Sequence, residues 1–288
     1  MTLSNVLAAA RERLVRADIT PSEAAVDVDL FARTSLGWDK ARLLTHLTSA
    51  VPDGLEPRFS EWVARRERHE PTAYIVRSRE FWGLDFLVTP AVLIPRPETE
   101  FVVEEAAQLL RGDGHGSAEG RTRVADLGTG SGCIAVSLAR EVPDSAVVAT
   151  DVSAEALAVA RQNALRHAVA DRIDFVATPW LEGVRGEFDL IAANPPYVRD
   201  GDKRALSPDV RHEPDVALFG GVSGLTLIDA VIATAVSRLR PRGWLVMEFG
   251  FGQEDDVREL VQRRPELRVD HVRADLQGLA RTIIIQKA

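Results

Sequence analysis

Strand-like and helix-like segments alternate from residue 124 to residue 286, and this alternation constrains the fold more than any other feature of the sequence. The predicted strands are residues 124–127, 146–150, 173–177, 188–193, 244–249, 268–272 and 282–286, and the predicted helices are 133–140, 154–166, 225–239 and 255–262. Strands and helices that alternate in this way are typical of a mostly parallel sheet covered by helices. We therefore expect an α/β, Rossmann-like domain with a mostly parallel seven-stranded sheet.

Residues 2 to about 70 have a different character, because their apolar residues recur at helical spacing in four short segments. The first contains Leu3, Val6 and Leu7, and the second begins at Pro21. This pattern predicts a small helical bundle over residues 1–73, followed by a β-hairpin linker over 74–90 and the α/β domain over 91–288. The bundle is expected either to cap the larger domain or to dock the substrate.

Two further segments precede the alternating region. Pro97 stands where the first turn of a helix is expected, and this helix is predicted to run to about Leu110. Residues 112–120 are rich in glycine and polar residues, which predicts a flexible surface loop.

Composition narrows the class of protein. The chain has 288 residues and a formal net charge of −8. It has one cysteine, and a single cysteine excludes an intramolecular disulfide and suits a reducing compartment. It contains neither a signal peptide nor an apolar run of the roughly 20 residues that span a bilayer, so we expect a cytoplasmic protein. The negative charge argues against direct DNA binding. The six histidines show no metal-ligand spacing, so no metal is expected.

A glycine-rich loop follows the first strand of the alternating region. The loop is Gly128-Thr129-Gly130-Ser131-Gly132, and Asp151 ends the next strand. Glycines at this position let a ligand approach the backbone, and a carboxylate after the second strand can accept both hydroxyls of a ribose. Cys133 stands where a dinucleotide-binding loop has its third glycine, so the loop fits an adenosyl cofactor better than a pyrophosphate-containing one. We interpret Cys133 itself as a buried packing residue without a chemical role.

The apolar strand 188–193 runs directly into Asn194-Pro195-Pro196-Tyr197. Two consecutive prolines cannot continue a strand, so the backbone must leave the sheet at the edge where the cofactor is expected. The Asn194 side-chain oxygen and the Pro195 carbonyl can each accept one N–H of a planar NH₂ group, and Tyr197 offers a face for stacking. Asn194, Pro195 and Tyr197 are therefore candidate catalytic residues for methylation of an amide or amine nitrogen.

A basic cluster lies on the fourth predicted helix. It comprises Arg65, Arg66, Arg68 and His69. We interpret it as a solvated helix face, with contact to an acidic protein or ribosomal RNA as the alternative.

Together these motifs resemble those of the release-factor glutamine methyltransferases, the HemK/PrmC family. The likeness extends over nearly the whole chain, and the run from Leu93 to Glu100 is its most specific part. The other matching segments are 80–84, 126–132, 194–197, 211–214, 220–225 and 275–281.

The resemblance implies transfer of a methyl group from S-adenosyl-L-methionine to the glutamine amide of the Gly-Gly-Gln motif in class I peptide-release factors. It implies cofactor contacts at Gly128 to Gly132, Asp151, Trp180 and Asn194, and substrate contacts at Asn194, Pro195, Pro196 and Tyr197. Trp180 would lie beside the adenine or, alternatively, pack in the core. Arg96 and Glu100 are expected either near the cofactor pocket or as solvated charges.

Three residues depart from the pattern of the family. Arg77 stands where the family usually has glycine, Pro179 where an acidic residue is common, and Ala280 where an acidic residue or proline is common. Methylation of a glutamine in a ribosomal or other protein therefore stays open as an alternative, and methylation of a nucleic-acid amine is a more distant one.

Overall fold

The computed structural model describes residues 1–111 and 121–288, so the loop predicted at 112–120 lies outside the described residues. The chain divides into two compact units. A helical unit contains Met1–Ser78 and Ser207–His212, and an α/β unit contains Arg79–Leu206 and Glu213–Ala288. Within these ranges, no helix has both the length and the apolar character that crossing a bilayer requires.

The helical unit contains the four predicted helices and one more. They are α1 (Leu3–Arg16), α2 (Pro21–Leu36), α3 (Lys40–Thr45), α4 (Arg58–Arg66) and α5 (Thr72–Val76). Thr2 and Thr20 form capping boxes that fix the starts of α1 and α2. The apolar faces meet in a core that includes Leu7 and Phe31.

The interpretation of the basic cluster as a solvated face is wrong for Arg66, which is only 4% exposed. Its guanidinium donates from Nε to Asp27 at 2.7 Å and from Nη1 to Asp209 at 2.9 Å. Asp209 lies in the segment Ser207–His212, and nothing in the local sequence predicts that this segment belongs to the helical unit. Arg65 is also neutralised, because Glu70 accepts its Nε–H at 2.8 Å. Paired arginines do not form a free basic surface.

The fifth helix was not predicted, and it spans the boundary expected at residue 73. It ends at Val76 and is capped by Arg77, which is exposed and has φ = 58° in the left-handed region. A residue with a Cβ is disfavoured there, and glycine is the usual choice. This backbone conformation explains why glycine suits the position. The boundaries predicted at 73 and 90 stay a prediction.

We expect Arg77→Gly to raise the free energy of unfolding of the protein by about 1 kcal/mol, because glycine adopts positive φ without strain. Arg77→Ala is the matched control, since it removes the same side chain and keeps the Cβ. Thermal denaturation of the three proteins measures the difference. Equal stabilisation by glycine and alanine would assign the effect to loss of the arginine side chain instead.

The α/β unit begins with a hairpin of β1 (Arg79–Phe81) and β2 (Leu84–Phe86). Its other strands are β3 (Thr122–Leu127), β4 (Ser145–Asp151), β5 (Ile173–Ala177), β6 (Phe188–Ala193), β7 (Leu239–Glu248), β8 (Leu267–Ala274) and β9 (Ala280–Lys287). Its α-helices are α6 (Glu100–Arg111), α7 (Cys133–Glu141), α8 (Ala154–Arg166), α9 (Asp215–Leu218), α10 (Thr226–Arg238) and α11 (Glu254–Gln262). The predicted alternation of strands and helices is confirmed.

Strands β3 to β9 form one seven-stranded sheet in the order β5-β4-β3-β6-β7-β9-β8. All neighbours pair in parallel except β9, which is antiparallel to both β7 and β8. Because β3 pairs with β4 on one side and β6 on the other, the direction of winding reverses at β3. Ligands of open α/β sheets bind at such a switch point, beyond the carboxyl ends of the strands. The glycine loop and the Asn194 corner both begin there.

Candidate active site

A cavity of ≈ 300 Å³ opens beyond the carboxyl ends of β3, β4, β5 and β6. Its lining includes the predicted residues Gly128, Thr129, Gly130, Ser131, Asp151, Trp180, Asn194 and Pro196. Gly132, Pro195 and Tyr197 are not among the lining residues. The structure thus brings most of the predicted site together from four separate loops.

The glycine loop is held by the strand beside it. The Gly130 N–H donates to Asp151 Oδ2 at 2.9 Å, and the Thr129 N–H donates to the Thr150 carbonyl at 2.9 Å. Gly130 has φ = 53°, which favours glycine. Gly132 has a different role, because a Cβ there would lie 3.1 Å from Ala160 Cβ on α8. Its lack of a side chain allows the loop to pack against the helix.

Asn163 holds the loop from the other side, a role that was not predicted from the sequence. This side chain is fully buried on α8. Its Nδ2 donates to the Ser131 carbonyl at 2.8 Å and the Leu87 carbonyl at 3.0 Å, and its Oδ1 accepts the Leu87 N–H at 2.7 Å. Asn163 therefore joins the glycine loop to the segment that follows the hairpin.

Asp126 lies beneath the loop at the end of β3 and is fully buried. Its Oδ2 accepts the Thr129 hydroxyl at 2.6 Å and the Ala135 N–H at 3.0 Å. Burial raises the pKa of the Asp126 carboxyl to about 7, although these two hydrogen bonds oppose the increase. An aspartate in an unfolded chain has a pKa of about 3.9. Between these pH values the folded protein therefore holds a proton that the unfolded chain lacks.

We expect the contribution of Asp126 to the free energy of unfolding to fall as the pH rises from about 4 to about 7, by about 1.4 kcal/mol per pH unit, and to level off above about 7. Asp126→Asn should remove this contribution because asparagine does not titrate. Urea unfolding of both proteins at pH 5 and pH 8 measures the difference. Parallel pH dependences in the two proteins would contradict the assignment to Asp126.

The pocket suits an adenosyl group. Asp151 Oδ2 and Oδ1 each accept one backbone N–H, from Gly130 and Ser153 at 2.9 Å, and a carboxylate held this way keeps lone pairs for ribose hydroxyls. Trp180 adds a half-buried aromatic ring, which also packs against the core. Arg96 is the one cation among the lining residues that the structure describes, and it is paired with Glu213. A lining with so little positive charge does not suit a pyrophosphate.

Asn194 is half-buried and is held by side chains from two distant parts of the chain. Its Nδ2 donates to the Thr99 hydroxyl at 3.0 Å, and that hydroxyl donates to Glu248 Oε2 at 2.6 Å. The Tyr197 hydroxyl donates to the other oxygen, Glu248 Oε1, at 3.0 Å. Asn194 and Tyr197 are thus anchored to one buried carboxylate at the end of β7.

Charge and burial act together at this carboxylate. Burial raises the pKa of Glu248, while the hydrogen bonds from Thr99 and Tyr197 oppose the increase. The negative charge of Glu248, with burial, raises the pKa of the Tyr197 hydroxyl far above its usual range. Tyr197 therefore stays a neutral donor. Its ring lies close to Gly250, where a Cβ would be 3.0 Å from Tyr197 Cδ2.

Glu213 holds the segment 93–100, which contains Thr99, in place. Its carboxylate is only 4% exposed, accepts the Ile94 N–H at 3.0 Å and pairs with Arg96. Arg96 lines the pocket, as one of the two interpretations of that residue expected. Glu100 instead accepts the Trp82 N–H at 2.8 Å and does not line the pocket.

Thr99, Glu213 and Glu248 were missed as site residues because each acts through a long-range contact. Glu248 left one sign in the sequence, since it is the one carboxylate in the otherwise apolar predicted strand 244–249. Cys133 is buried, as expected, and burial raises the pKa of its thiol to about 12.

Across residues 1–111 and 121–288, no three His, Cys, Asp or Glu side chains are grouped as metal ligands would be. The expectation of no metal stays a prediction.

Comparisons with known proteins decide the family. Residues 5–76 match the model of the PrmC N-terminal domain, and residues 102–211 match that of the methyltransferase small domain. A release factor glutamine methyltransferase of Nitratidesulfovibrio vulgaris is 42% identical over 99% of this chain and 95% of its own length. The chain belongs to the release factor glutamine methyltransferase family. A second member, from Bradyrhizobium diazoefficiens, is 39% identical over 92% of this chain and 89% of its own length.

Membership of this family makes the chain a methyltransferase with S-adenosyl-L-methionine as the methyl donor, as the sequence predicted. A solved methyltransferase from Pyrococcus furiosus has the same fold, with a TM-score of 0.53 at 19% identity over 80% of this chain and 99% of that one. The α/β, Rossmann-like fold predicted from the sequence is confirmed. The roles assigned to individual site residues stay predictions.

Proposed function

We propose that the protein transfers a methyl group from S-adenosyl-L-methionine to the side-chain amide nitrogen, N5, of the glutamine in the Gly-Gly-Gln motif of a class I peptide-release factor. The orientation of Asn194 carries this proposal. Its Nδ2 is engaged by Thr99, which leaves Oδ1 to accept an N–H from a substrate amide at the rim of the pocket. The names of the curated relatives support a release factor as the substrate.

The cofactor would be held by the glycine loop, Asp151 and Trp180, and when bound it supplies a methyl group on a positively charged sulfur. Asn194 Oδ1 and the Pro195 carbonyl each accept one N–H of the substrate. An amide nitrogen is a poor nucleophile because its lone pair is delocalised into the carbonyl. Two fixed acceptors favour a more tetrahedral nitrogen and hold it in the direction of attack.

Tyr197 contributes a flat surface for the planar amide, and its hydroxyl is fixed on Glu248. No strong base is needed for the reaction. The amide proton becomes acidic as the new N–C bond forms and then leaves the nitrogen to solvent. Pro195 and Pro196 keep the corner rigid, since proline fixes the backbone φ angle.

The partner proposed for this site is a protein. The formal net charge of −8 supports this choice, because an enzyme that acts on DNA usually presents a basic surface. We propose that the helical unit docks the release factor and that the reaction takes place in the cytoplasm, where peptide release occurs. A glutamine in a ribosomal or other protein is the alternative acceptor.

The test incubates the protein with labelled S-adenosyl-L-methionine and a purified release factor, and then maps the labelled peptide by mass spectrometry. The matched control is the same factor with the Gly-Gly-Gln glutamine replaced by glutamate, which has no amide nitrogen. We expect one methyl group on the glutamine and none on the control. Labelling of the control, of another protein or of DNA in place of this glutamine would overturn the proposal.

A further inference from the structure

We propose that Thr99 and Glu248 are positioning residues that set which end of the Asn194 side-chain amide faces the substrate. The proposal rests on the proposed function in one respect, which is the direction in which loss of either residue changes the methylation rate. Neither residue needs to touch the reacting atoms. They act through the hydrogen bonds that join Glu248, Thr99 and Asn194 in one chain.

The direction of these hydrogen bonds follows from the number of protons available. Thr99 has one hydroxyl proton, and its oxygen lies 2.6 Å from Glu248 Oε2 and 3.0 Å from Asn194 Nδ2. Glu248 Oε2 accepts this proton, so the Thr99 hydroxyl has none left to donate. The Thr99 oxygen can then only accept from Asn194. Asn194 must therefore present its NH₂ group to Thr99, and its Oδ1 is left for the substrate.

Tyr197 gives the same carboxylate a second fixed donor. Its hydroxyl lies 3.0 Å from Glu248 Oε1, so each oxygen of the carboxylate accepts one hydroxyl. Thr99 is 2% exposed and Glu248 is 1% exposed, so water does not compete for these bonds. One buried carboxyl group thus orders both Asn194 and Tyr197.

The alternative orientation of Asn194 would be unproductive. Rotation of the amide by half a turn would place Nδ2 toward the substrate NH₂ group, so that two donors would face each other. A carbonyl acceptor would be lost where the substrate nitrogen must be held. Thr99 and Glu248 together exclude this orientation, although neither belongs to the Asn194–Tyr197 corner.

Thr99→Val tests the proposal because valine has nearly the shape of threonine but cannot accept the Asn194 N–H. The loss of a hydrogen bond of about 0.5–1.5 kcal/mol corresponds to a kcat about 2- to 13-fold lower. We expect the affinity for S-adenosyl-L-methionine to stay within about twofold of the wild type. Thr99→Ser retains the hydroxyl and should recover most of the lost turnover. Thr234→Val makes the same change on α10, where the hydroxyl donates to the Ala230 carbonyl at 2.8 Å, and should leave kcat unchanged.

A second measurement needs no turnover. In ¹⁵N NMR spectra, the Asn194 side-chain NH₂ signals should shift and exchange faster with solvent in Thr99→Val than in wild type or Thr99→Ser. Wild-type kcat together with unchanged Asn194 signals in Thr99→Val would overturn the positioning role, as would equal losses in the valine and serine variants. Failure of the wild type to methylate a release factor would overturn the proposed function alone, because the NMR comparison is independent of the acceptor.

Discussion

Replacement of Asn194 with alanine is expected to lower kcat by roughly 10²–10³-fold, the loss typical of removing one preorganised polar group from an active site. Asn194 Oδ1 is the acceptor assigned to the substrate N–H, and alanine offers none. Binding of S-adenosyl-L-methionine should change little, because the glycine loop and Asp151 lie on other strand ends. Single-turnover kinetics and isothermal titration with the cofactor separate the two quantities.

Asp151→Ala provides the contrasting variant. It removes the carboxylate that accepts the Gly130 and Ser153 N–H groups and that is assigned to the ribose hydroxyls. We expect it to weaken cofactor binding strongly while turnover at saturating cofactor falls less than in Asn194→Ala. Wild-type turnover in Asn194→Ala, or a loss confined to cofactor affinity, would contradict the role of Asn194 as the acceptor.

The sequence predicted those parts of the site whose backbone conformation is determined by residues adjacent in the chain. The bounds of α8 and β6 agree with the prediction because a Ser153 cap starts the helix and two prolines end the strand. The glycine loop and the Asn194 corner were found for the same reason. Each is a short segment whose residue types restrict the backbone directly.

The side chains that hold the corner could not be predicted in this way. Thr99 lies 95 residues from Asn194 in the sequence, and Glu248 lies 149 residues from Thr99. Their meeting depends on the order of β6 and β7 in the sheet and on the position of the segment before α6. Neither residue has a local signature specific enough to assign a role, since a threonine near the start of a helix and a glutamate in a strand are common.

The helical unit shows the same limit. The charge pattern of α4 favoured a solvated basic face, but Arg66 is buried because two acidic residues from distant segments meet it. Asp27 comes from α2, and Asp209 comes from a segment that follows the Asn194 corner in the chain. Helical periodicity indicates which face of a helix is apolar, but it does not indicate which charged side chains form buried ion pairs.

Replacement of Arg66 with alanine is expected to destabilise the helical unit by about 3–5 kcal/mol, because it leaves the Asp27 carboxylate buried without its cation. This is a large part of the roughly 5–15 kcal/mol that stabilises a typical domain. Hydrogen exchange should become faster in α2, in α4 and in Ser207–His212, because the arginine joins all three. Urea unfolding gives the size of the effect, and hydrogen-exchange mass spectrometry gives its location.

Arg65→Ala is the control for this effect, since the two arginines are adjacent on α4. The Arg65 and Glu70 side chains are 27% and 21% exposed, and such partly solvated pairs contribute about 1 kcal/mol or less. A small effect at Arg65 beside a large one at Arg66 would assign the loss to the buried charge left behind rather than to the helix. Equal effects, or unchanged exchange in Ser207–His212, would refute the view that Arg66 holds that segment in the helical unit.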